Sequence, residues 1–473
     1  MNKKRNILFI LSDQHNAGVL GAAGDKTVRT PSLDRLASEG VRFDQAYCQN
    51  PLCVPSRYSM LTGRHSRNIG IYTNNDILMP NSTTIPRVLS AHGYRTCLIG
   101  KAHFNGEQFH GYQQRPYGDL YGQAHQPDPF REKGGEESGL GEFLDNSGAT
   151  GIPLPMTQTE ICVAEAAKWL QTHCSLHSDQ PFFLSVNFDK PHFPVRCPSQ
   201  YFARYDGRLR VPEVPEGARE RAVPFVRRAM DRFGFEGQDG DRYLAAYYGC
   251  VEWMDDAIGR LMHVLEHLGM AEDTLVVYAS DHGDLCGEKG VWNKSLFFDS
   301  SARVPLIVRC PSLIPPRPAE SSPVGLIDLF PTLCDAADVP VPESCEGLSL
   351  LPLLTGESGP PRDRVYCETS FLWEPSDAGC MVRTGQWKYS LYLDGSQELY
   401  NMEEDPGEWN NLADDPTLHD LVGELRADVR RFWEPEQYAD RLASAPKVDQ
   451  AKHCYFYSNQ FIVGDGAVAD ARP

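Results

Sequence analysis

Two short stretches of this 473-residue chain end in the same way. Ile7–Leu11 runs into Ser12-Asp13-Gln14-His15, and Thr274–Ala279 runs into Ser280-Asp281-His282-Gly283. Each apolar stretch delivers an Asp just past its carboxyl end, where open α/β sheets place their ligands. Alone, either Asp also suits a helix N-cap or a turn. On neighbouring strands the two carboxylates would repel unless a cation lay between them. Carboxylate, amide oxygen and imidazole together suit a divalent metal of hard or borderline character. Two more stretches end in cations: Thr96–Ile99 leads to Gly100-Lys101-Ala102-His103, and Phe182–Phe188 leads to Asp189-Lys190-Pro191-His192. Lys294 follows the second Asp motif. Taken singly these read as solvated lysines and loop histidines. Gathered at one sheet edge, the carboxylates would hold a metal while Lys101, Lys294 and Arg57 surround a tetrahedral anion. The nucleophile candidate is Cys53, in Pro51-Leu52-Cys53-Val54-Pro55-Ser56-Arg57.

These residues need a scaffold that brings strand ends together. The first 365 or so residues alternate short β-branched runs with helical patterns, which predicts an α/β domain with a mixed, largely parallel sheet flanked by helices. Expected strands are Ile7–Leu11, Thr96–Ile99, Phe182–Phe188, Thr274–Ala279 and Pro305–Val308. Leu244, Tyr248, Val251, Met254, Ile258 and Leu261 mark one face of a long helix stopping at Gly269, and Thr157 with Glu160 reads as a capping box. The aperiodic stretches 105–155 and 203–240 read as rims, lids or insertions. After about Pro361 the pattern changes to strands around Cys380–Arg383, Trp387–Tyr392 and Glu398–Asn401, joined by turns such as Asp394-Gly395. That predicts an antiparallel meander, followed by a helix whose apolar face carries Leu418, Val422, Leu425 and Val429. The expected division is a catalytic domain over 1–365, a smaller C-terminal α+β unit over 366–434 and a tail over 435–473. The tail's Tyr455-Phe456-Tyr457 and Phe461 must be buried on this subunit or a neighbour, which points to a homo-oligomer.

Composition narrows the partners. Lys+Arg 45 against Asp+Glu 64 leaves a formal charge of −19, which argues against nonspecific nucleic-acid binding and against docking on anionic lipid. With 41% hydrophobic and 23% charged residues, wholesale disorder and coiled coil are excluded. No apolar run approaches the roughly 18 residues of a membrane span. The basic start, Lys3-Lys4-Arg5, leads into too short an apolar stretch for a signal peptide, so a cytoplasmic location is expected. The 14 cysteines include no C-x-x-C pair, which predicts buried reduced thiols rather than a disulfide framework.

At Cys53 the motifs meet a known pattern. C-x-P-S-R over residues 53–57, followed by Leu61-Thr62-Gly63-Arg64, resembles the sulfatase signature, in which a maturation enzyme oxidises the cysteine to formylglycine. Ser12-Asp13, Gly100-Lys101-x-His103, Pro191-His192-x-Pro194, Ser280-Asp281-His282-Gly283 and Lys294 follow in the family's order. In the C-terminal unit, Leu399-Tyr400-Asn401 and Asp405-Pro406-Gly407-Glu408 extend the likeness, so that it covers most of residues 5–433. The resemblance implies an alkaline-phosphatase-like fold and hydrolysis of sulfate monoesters through a covalent sulfo-enzyme intermediate. It implies Cys53, as formylglycine hydrate, as nucleophile, with Asp13, Gln14, Asp281, His282 and the hydrate binding one divalent metal ion. Arg57 and Lys101 would hold the hydrate, and His103 would act as base in the elimination. His192 and Lys294 would contact the transferring group, and Asn74 would bind substrate. Where many relatives have Asp-Asp and Asp-Asn, this chain has Asp13-Gln14 and Asp281-His282. That pairing is similar to the choline sulfatase and phosphonate monoester hydrolase branch, and it shifts metal preference from strict calcium toward manganese. A choline headgroup asks for an aromatic cage. The 104–155 rim has no Trp and offers Tyr112, Tyr117 and Tyr121, so choline is not assigned. The rival readings are a phosphonate monoester or phosphodiester hydrolase on the same residues, a noncatalytic metal-binding protein, and a redox role for Cys53.

Overall fold

Alternation within Asn6–Asp13 (β1) decides the layering. Ile7, Phe9 and Leu11 are buried in the core on one face, and Leu8 and Ile10 in the core on the other. Only a central strand of a sheet covered on both faces can do this. The computed structural model describes residues 4–105, 108–118, 144, 146–234, 240–357, 363–370, 377–435, 438, 440, 460–463 and 467–470. Its main sheet adds Val41–Phe43 (β2), Arg95–Gly100 (β3), Gln114–Tyr117 (β4), Phe182–Pro191 (β5), Thr274–Ser280 (β6) and Leu306–Arg309 (β7). The order across the sheet is β2-β7-β6-β1-β5-β3-β4. Six of the seven strands share one direction and β7 alone opposes them, antiparallel to both β6 and β2, giving the mixed, largely parallel sheet expected. The helices that cover it include Pro31–Glu39 (α1), Cys53–Thr62 (α2), Gln158–Leu176 (α3), Gly240–His267 (α4) and Leu329–Ala336 (α5). Side chains of α1, α3 and α4 join the core on one face, and those of α2 and α5 the core on the other.

Three local expectations are corrected. The capping box at α3 is not formed: the Thr157 hydroxyl donates to Leu154 O at 2.7 Å, and Glu160 accepts from Arg260 at 2.6 and 2.7 Å and from Trp253 Nε1 at 3.0 Å. A tertiary ion pair has taken the glutamate away from the helix start. The stretch 203–240 is not wholly irregular, because it contains the helix Pro224–Phe233. Pro224 is tolerated in its first turn, and Phe225, Val226, Ala229 and Phe233 form its buried face. Within 105–155, β4 adds an edge strand, a position that accepts Pro116; residues 119–143 lie outside those described.

The second sheet is an antiparallel meander of Arg364–Ser370 (β8), Ala378–Thr384 (β9), Trp387–Tyr392 (β10) and Gln397–Asn401 (β11). The last three were legible as strands; β8 was not, and it crosses residue 365. The helix His419–Phe432 (α6) packs Val422, Leu425 and Val429 against Cys380, Val382 and Leu399. The described cysteines are all free, and most are buried. No helix among the described residues is long and apolar enough to cross a membrane. At the start of the tail, Tyr438 is buried against Trp433 and Tyr72 of its own chain. Tyr455, Phe456 and Tyr457 lie outside the described residues, and Gln460–Val463 pairs with Ala467–Asp470 as a hairpin.

A buried ionic network ties the C-terminal sheet to the α/β domain. Lys388 Nζ, on β10, lies 2.7 Å from Asp299 Oδ1 and 2.7 Å from Glu408 Oε1. The Tyr47 hydroxyl donates to the same Asp299 oxygen at 2.8 Å, and Asp299 N donates to Glu408 Oε2 at 2.7 Å. Burial pushes the Glu408 carboxyl up to about 7 although Lys388 opposes it. A carboxyl whose pKa is raised on folding costs stability as pH climbs through that range. Replacing Lys388 with Met leaves two buried carboxylates without their shared cation and is expected to destabilise the fold by about 3–5 kcal/mol. The loss should be larger at pH 8 than at pH 6, where the carboxyls can protonate. Urea unfolding of both proteins at the two pH values checks this; an equal loss at both would refute the ionic account.

Candidate active site

Strand register assembles the site. Ser12 of β1 is paired with Ser280 of β6, so Asp13 and Asp281 emerge side by side. On the other flank Gly100 of β3 pairs with Asn187 of β5, which places Lys101 next to the same edge. Gly100 has φ 96°, and a Cβ there would lie 2.0 Å from Asn187 O, so the turn into Lys101 requires glycine. Lys101 Nζ reaches Asp13 Oδ2 at 2.7 Å. The neighbouring strands anticipated from the motifs are therefore real neighbours: β6, β1, β5 and β3 deliver Asp281, Asp13, His192 and Lys101 to one end of the sheet.

Helix α2 closes the arrangement from above. Cys53 and Arg57 are one helical turn apart, an i,i+4 pair on one face. Arg57 Nε donates to Asp281 Oδ2 at 2.8 Å, Nη2 to Asp13 Oδ2 at 2.7 Å and Nη1 to Lys101 O at 2.9 Å. One guanidinium thus spans both strand ends, and the Ser56 hydroxyl adds a bond to Asp281 O at 2.5 Å. This fixes Cys53 over the carboxylates. Its Sγ lies 3.1 Å from His282 Nε2, 3.2 Å from Lys294 Nζ and 4.0 Å from His192 Nε2.

The donor set fits a divalent metal. Asp13, Cys53, Asp281 and His282 are all buried, and one ligand atom from each lies within 4.8 Å of the others. Asp13 Oδ1 is a buried oxygen with no hydrogen-bond partner, 3.9 Å from His282 Nε2 and 3.8 Å from His192 Nε2. The two rings cannot satisfy it while neutral, because each Nδ1 faces a carbonyl, Gly283 O at 2.9 Å and Phe193 O at 2.7 Å. That assigns the N–H to Nδ1 and leaves a lone pair on Nε2, the tautomer a metal ligand uses. Burial holds His282 down to about 4 and His192 well below the usual range, keeping both neutral. Burial alone would raise Asp13, but the cations around it, Lys101 foremost, then Arg57 and Lys294, hold it well below the usual carboxylate range. The centre therefore combines ionised carboxylate, neutral imidazole and three fixed cations.

Gln14 sits among them at φ 69°, an unusual conformation for a residue with a side chain. Its Oε1 accepts from Lys294 Nζ at 2.7 Å. His103 is buried two residues beyond Lys101, at φ 55°. Asn74 does something the motifs did not announce: its Oδ1 accepts Val54 N–H at 3.0 Å, capping the first turn of α2 where Leu52 offers no side-chain cap. The tyrosines considered for a cage are partly spoken for, since Tyr112 is buried and stacked on Phe183 at 5.8 Å and Tyr117 is buried in the core; Tyr121 lies outside the described residues. Sequence reasoning missed Asn187, whose Nδ2 donates to Lys101 O at 2.9 Å, and Tyr247, whose hydroxyl donates to Gln14 O at 2.5 Å. It also missed Asp284, which accepts Gln14 Nε2 at 2.6 Å. Only Asp284 left a signal, as a second acid three residues after Asp281.

Comparison with known proteins agrees with this geometry. The family described as Sulfatase matches residues 5–339, and the one described as N-sulphoglucosamine sulphohydrolase, C-terminal, matches residues 287–434. The choline-sulfatase of Rhizobium meliloti is 31% identical over 434 residues, covering 87% of this chain and 83% of that protein. An arylsulfatase of Clostridium perfringens is 30% identical over 489 residues, covering 95% and 99%. The phosphonate monoester hydrolase of Agrobacterium radiobacter superposes with a TM-score of 0.75 at 23% identity, over 99% of this chain and all of that one, which shows a shared alkaline-phosphatase-like fold. With the family model spanning residues 5–339 and these two relatives 31% and 30% identical over most of their length, the chain belongs to the sulfatase family of sulfuric ester hydrolases.

Proposed function

We propose that this chain hydrolyses sulfate monoesters of small or aryl alcohols, using formylglycine made from Cys53 by a separate maturation enzyme. Asp13, Gln14, Asp281 and His282, with residue 53, would hold one divalent cation, calcium or manganese. The observation that carries this reading is the setting of Cys53 Sγ, which touches His282 and Lys294 and shares one donor cluster with Asp13 and Asp281. The sulfur stands for the hydroxyl oxygen of the hydrated aldehyde. The cation supplies a Lewis acid that makes such an oxygen more acidic, and the hydrate supplies a nucleophile whose second hydroxyl allows sulfate to be expelled.

The chain's own groups do the rest. Arg57, on the helix of residue 53, holds the two carboxylates in register. Lys294 and Lys101 meet charge growing on the nonbridging oxygens, in a buried setting where such interactions are strong. Lys294 also offers N–H donors toward the leaving oxygen, while His192, whose Nε2 lies 4.0 Å from Cys53 Sγ, contacts the transferring group. His103 is the base assigned to the elimination. For the alcohol side, choline is the substrate in one relative's name. Here Tyr112 and Tyr117 are packed in the core rather than grouped as a cage, and a quaternary ammonium is not proposed.

Hydrolysis of phosphonate monoesters is the second reading, favoured by the Gln14 and His282 pairing. A phosphonate monoester and a sulfate monoester are both tetrahedral and singly charged, so the same three cations serve either. Two outcomes separate the layers of the proposal. Peptide mass spectrometry on protein coexpressed with a maturation enzyme is expected to find an aldehyde at residue 53; fully active protein carrying only thiol there would overturn the nucleophile. On one matured, metal-replete preparation, kcat/KM for an aryl sulfate should exceed that for an aryl phosphonate monoester by about a hundredfold, roughly 2.7 kcal/mol; the reverse preference selects the second reading. Lys294→Ala should lower kcat by about 10²–10³ for whichever ester is preferred.

A further inference from the structure

Gln14 replaces a carboxylate by a neutral amide at a metal-facing position, and an amide can point either way. Its oxygen attracts a cation and its NH₂ repels one, so something must decide the orientation. All four polar groups of Gln14 have partners. Gln14 N donates to Asp281 Oδ1 at 3.1 Å and Gln14 O accepts from the Tyr247 hydroxyl. Oε1 faces Lys294, and Nε2 donates to Asp284 Oδ2 at 2.6 Å. Asp284 is wholly buried and is itself fixed: its Oδ2 also accepts from the Tyr243 hydroxyl at 2.6 Å, and its Oδ1 accepts Cys286 N–H at 2.7 Å. These three contacts are all with donors, so both oxygens of Asp284 act as acceptors. Asp284 therefore captures the NH₂ end of Gln14 and turns the oxygen toward Lys294, whose Nζ also lies 3.2 Å from Cys53 Sγ.

We propose that Asp284 is a positioning residue for the metal site: it locks the Gln14 amide with Oε1 inward and supplies, one residue behind the site, the negative charge that Gln14 lacks. The inference rests on the metal reading of the proposed function. In Asp284→Asn the new amide would keep the contact with Cys286 N–H through its oxygen and turn its NH₂ toward Gln14. Gln14 would then flip to accept, aiming its own NH₂ at the Lys294 ammonium and the cation. Adding Gln14→Glu cures this. One oxygen of the new carboxylate accepts from the amide that has replaced Asp284, and the other points inward, while the Tyr243 hydroxyl can accept as well as donate.

The test is titration of Ca²⁺ and of Mn²⁺ into chelator-stripped, full-length matured protein, with apo melting temperatures recorded alongside. Asp284→Asn should weaken binding of the metal by about 10–100-fold. The exchanged pair Asp284→Asn with Gln14→Glu should return it to within about threefold of wild type. A purely structural Asp284 predicts no such rescue. Unchanged affinity in folded Asp284→Asn overturns the proposal. If that single variant does not fold, the exchanged pair decides, and a pair that fails to bind, folded or not, overturns it. Wild-type protein that binds neither cation instead overturns the metal reading itself.

Discussion

The constraint on which this structure turns is the forced proximity of Asp13 and Asp281. Parallel pairing of β1 with β6 leaves them no other place, and two buried carboxylates within 4.8 Å repel by about 3.5 kcal/mol or more at an effective dielectric near 20. Arg57 answers with one planar group whose rigid fork reaches both carboxylates and, with its third nitrogen, the Lys101 carbonyl as well. Because Arg57 and Cys53 share a helix face, the interaction that relieves the repulsion also sets the position of Cys53, the proposed nucleophile. The i,i+4 spacing in C-x-P-S-R is thus a mechanical coupling between charge balance and chemistry.

That coupling needs α2 to be held rigidly, and its anchors come from far along the chain. Ser56 bonds the backbone of Asp281, and Asn74 caps Val54. The helix start, the two strand ends and the Lys101 carbonyl are thereby tied together. Burying so many charges is expensive, and a well-packed apolar core would be more stable. The arrangement makes sense as a site, where fixed dipoles and cations must already be in place before charge develops.

What could be read from the sequence were features that depend on local chemistry: Asp13 and Asp281 at apolar strand ends, the amphipathic face of α4, and the Asp394-Gly395 turn, where Gly395 adopts φ 85°. What could not be read depends on partners remote in sequence. Glu160 has the spacing of a capping box, yet Arg260, a hundred residues away, claims it. β8 hides because Glu368, Thr369 and Ser370 are polar and still buried, with Glu368 paired to Arg67 at 2.6 Å. The family resemblance implies a substrate contact for Asn74, and its cap on Val54 appears only once the chain is folded. At Glu160 and at β8, tertiary contacts overrode a local pattern.

The C-terminal sheet has a role in the site although none of its residues lies at the sulfur. Lys294 stands between Asn293 at φ 75° and Ser295 at φ 84°, a backbone that does not hold itself. The sheet and its following loop grip this segment on both sides. Lys289 Nζ donates to Gly407 O and to Glu408 O, with its ammonium 3.6 Å from the centre of the Trp409 ring. Thr369 Oγ1 donates to Ser295 O at 3.2 Å, and Glu408 Oε2 receives Asp299 N–H. The Asp-Pro-x-Glu motif thus anchors Lys289 and Asp299, on either side of the segment that carries Lys294, and so ties the C-terminal unit to that segment.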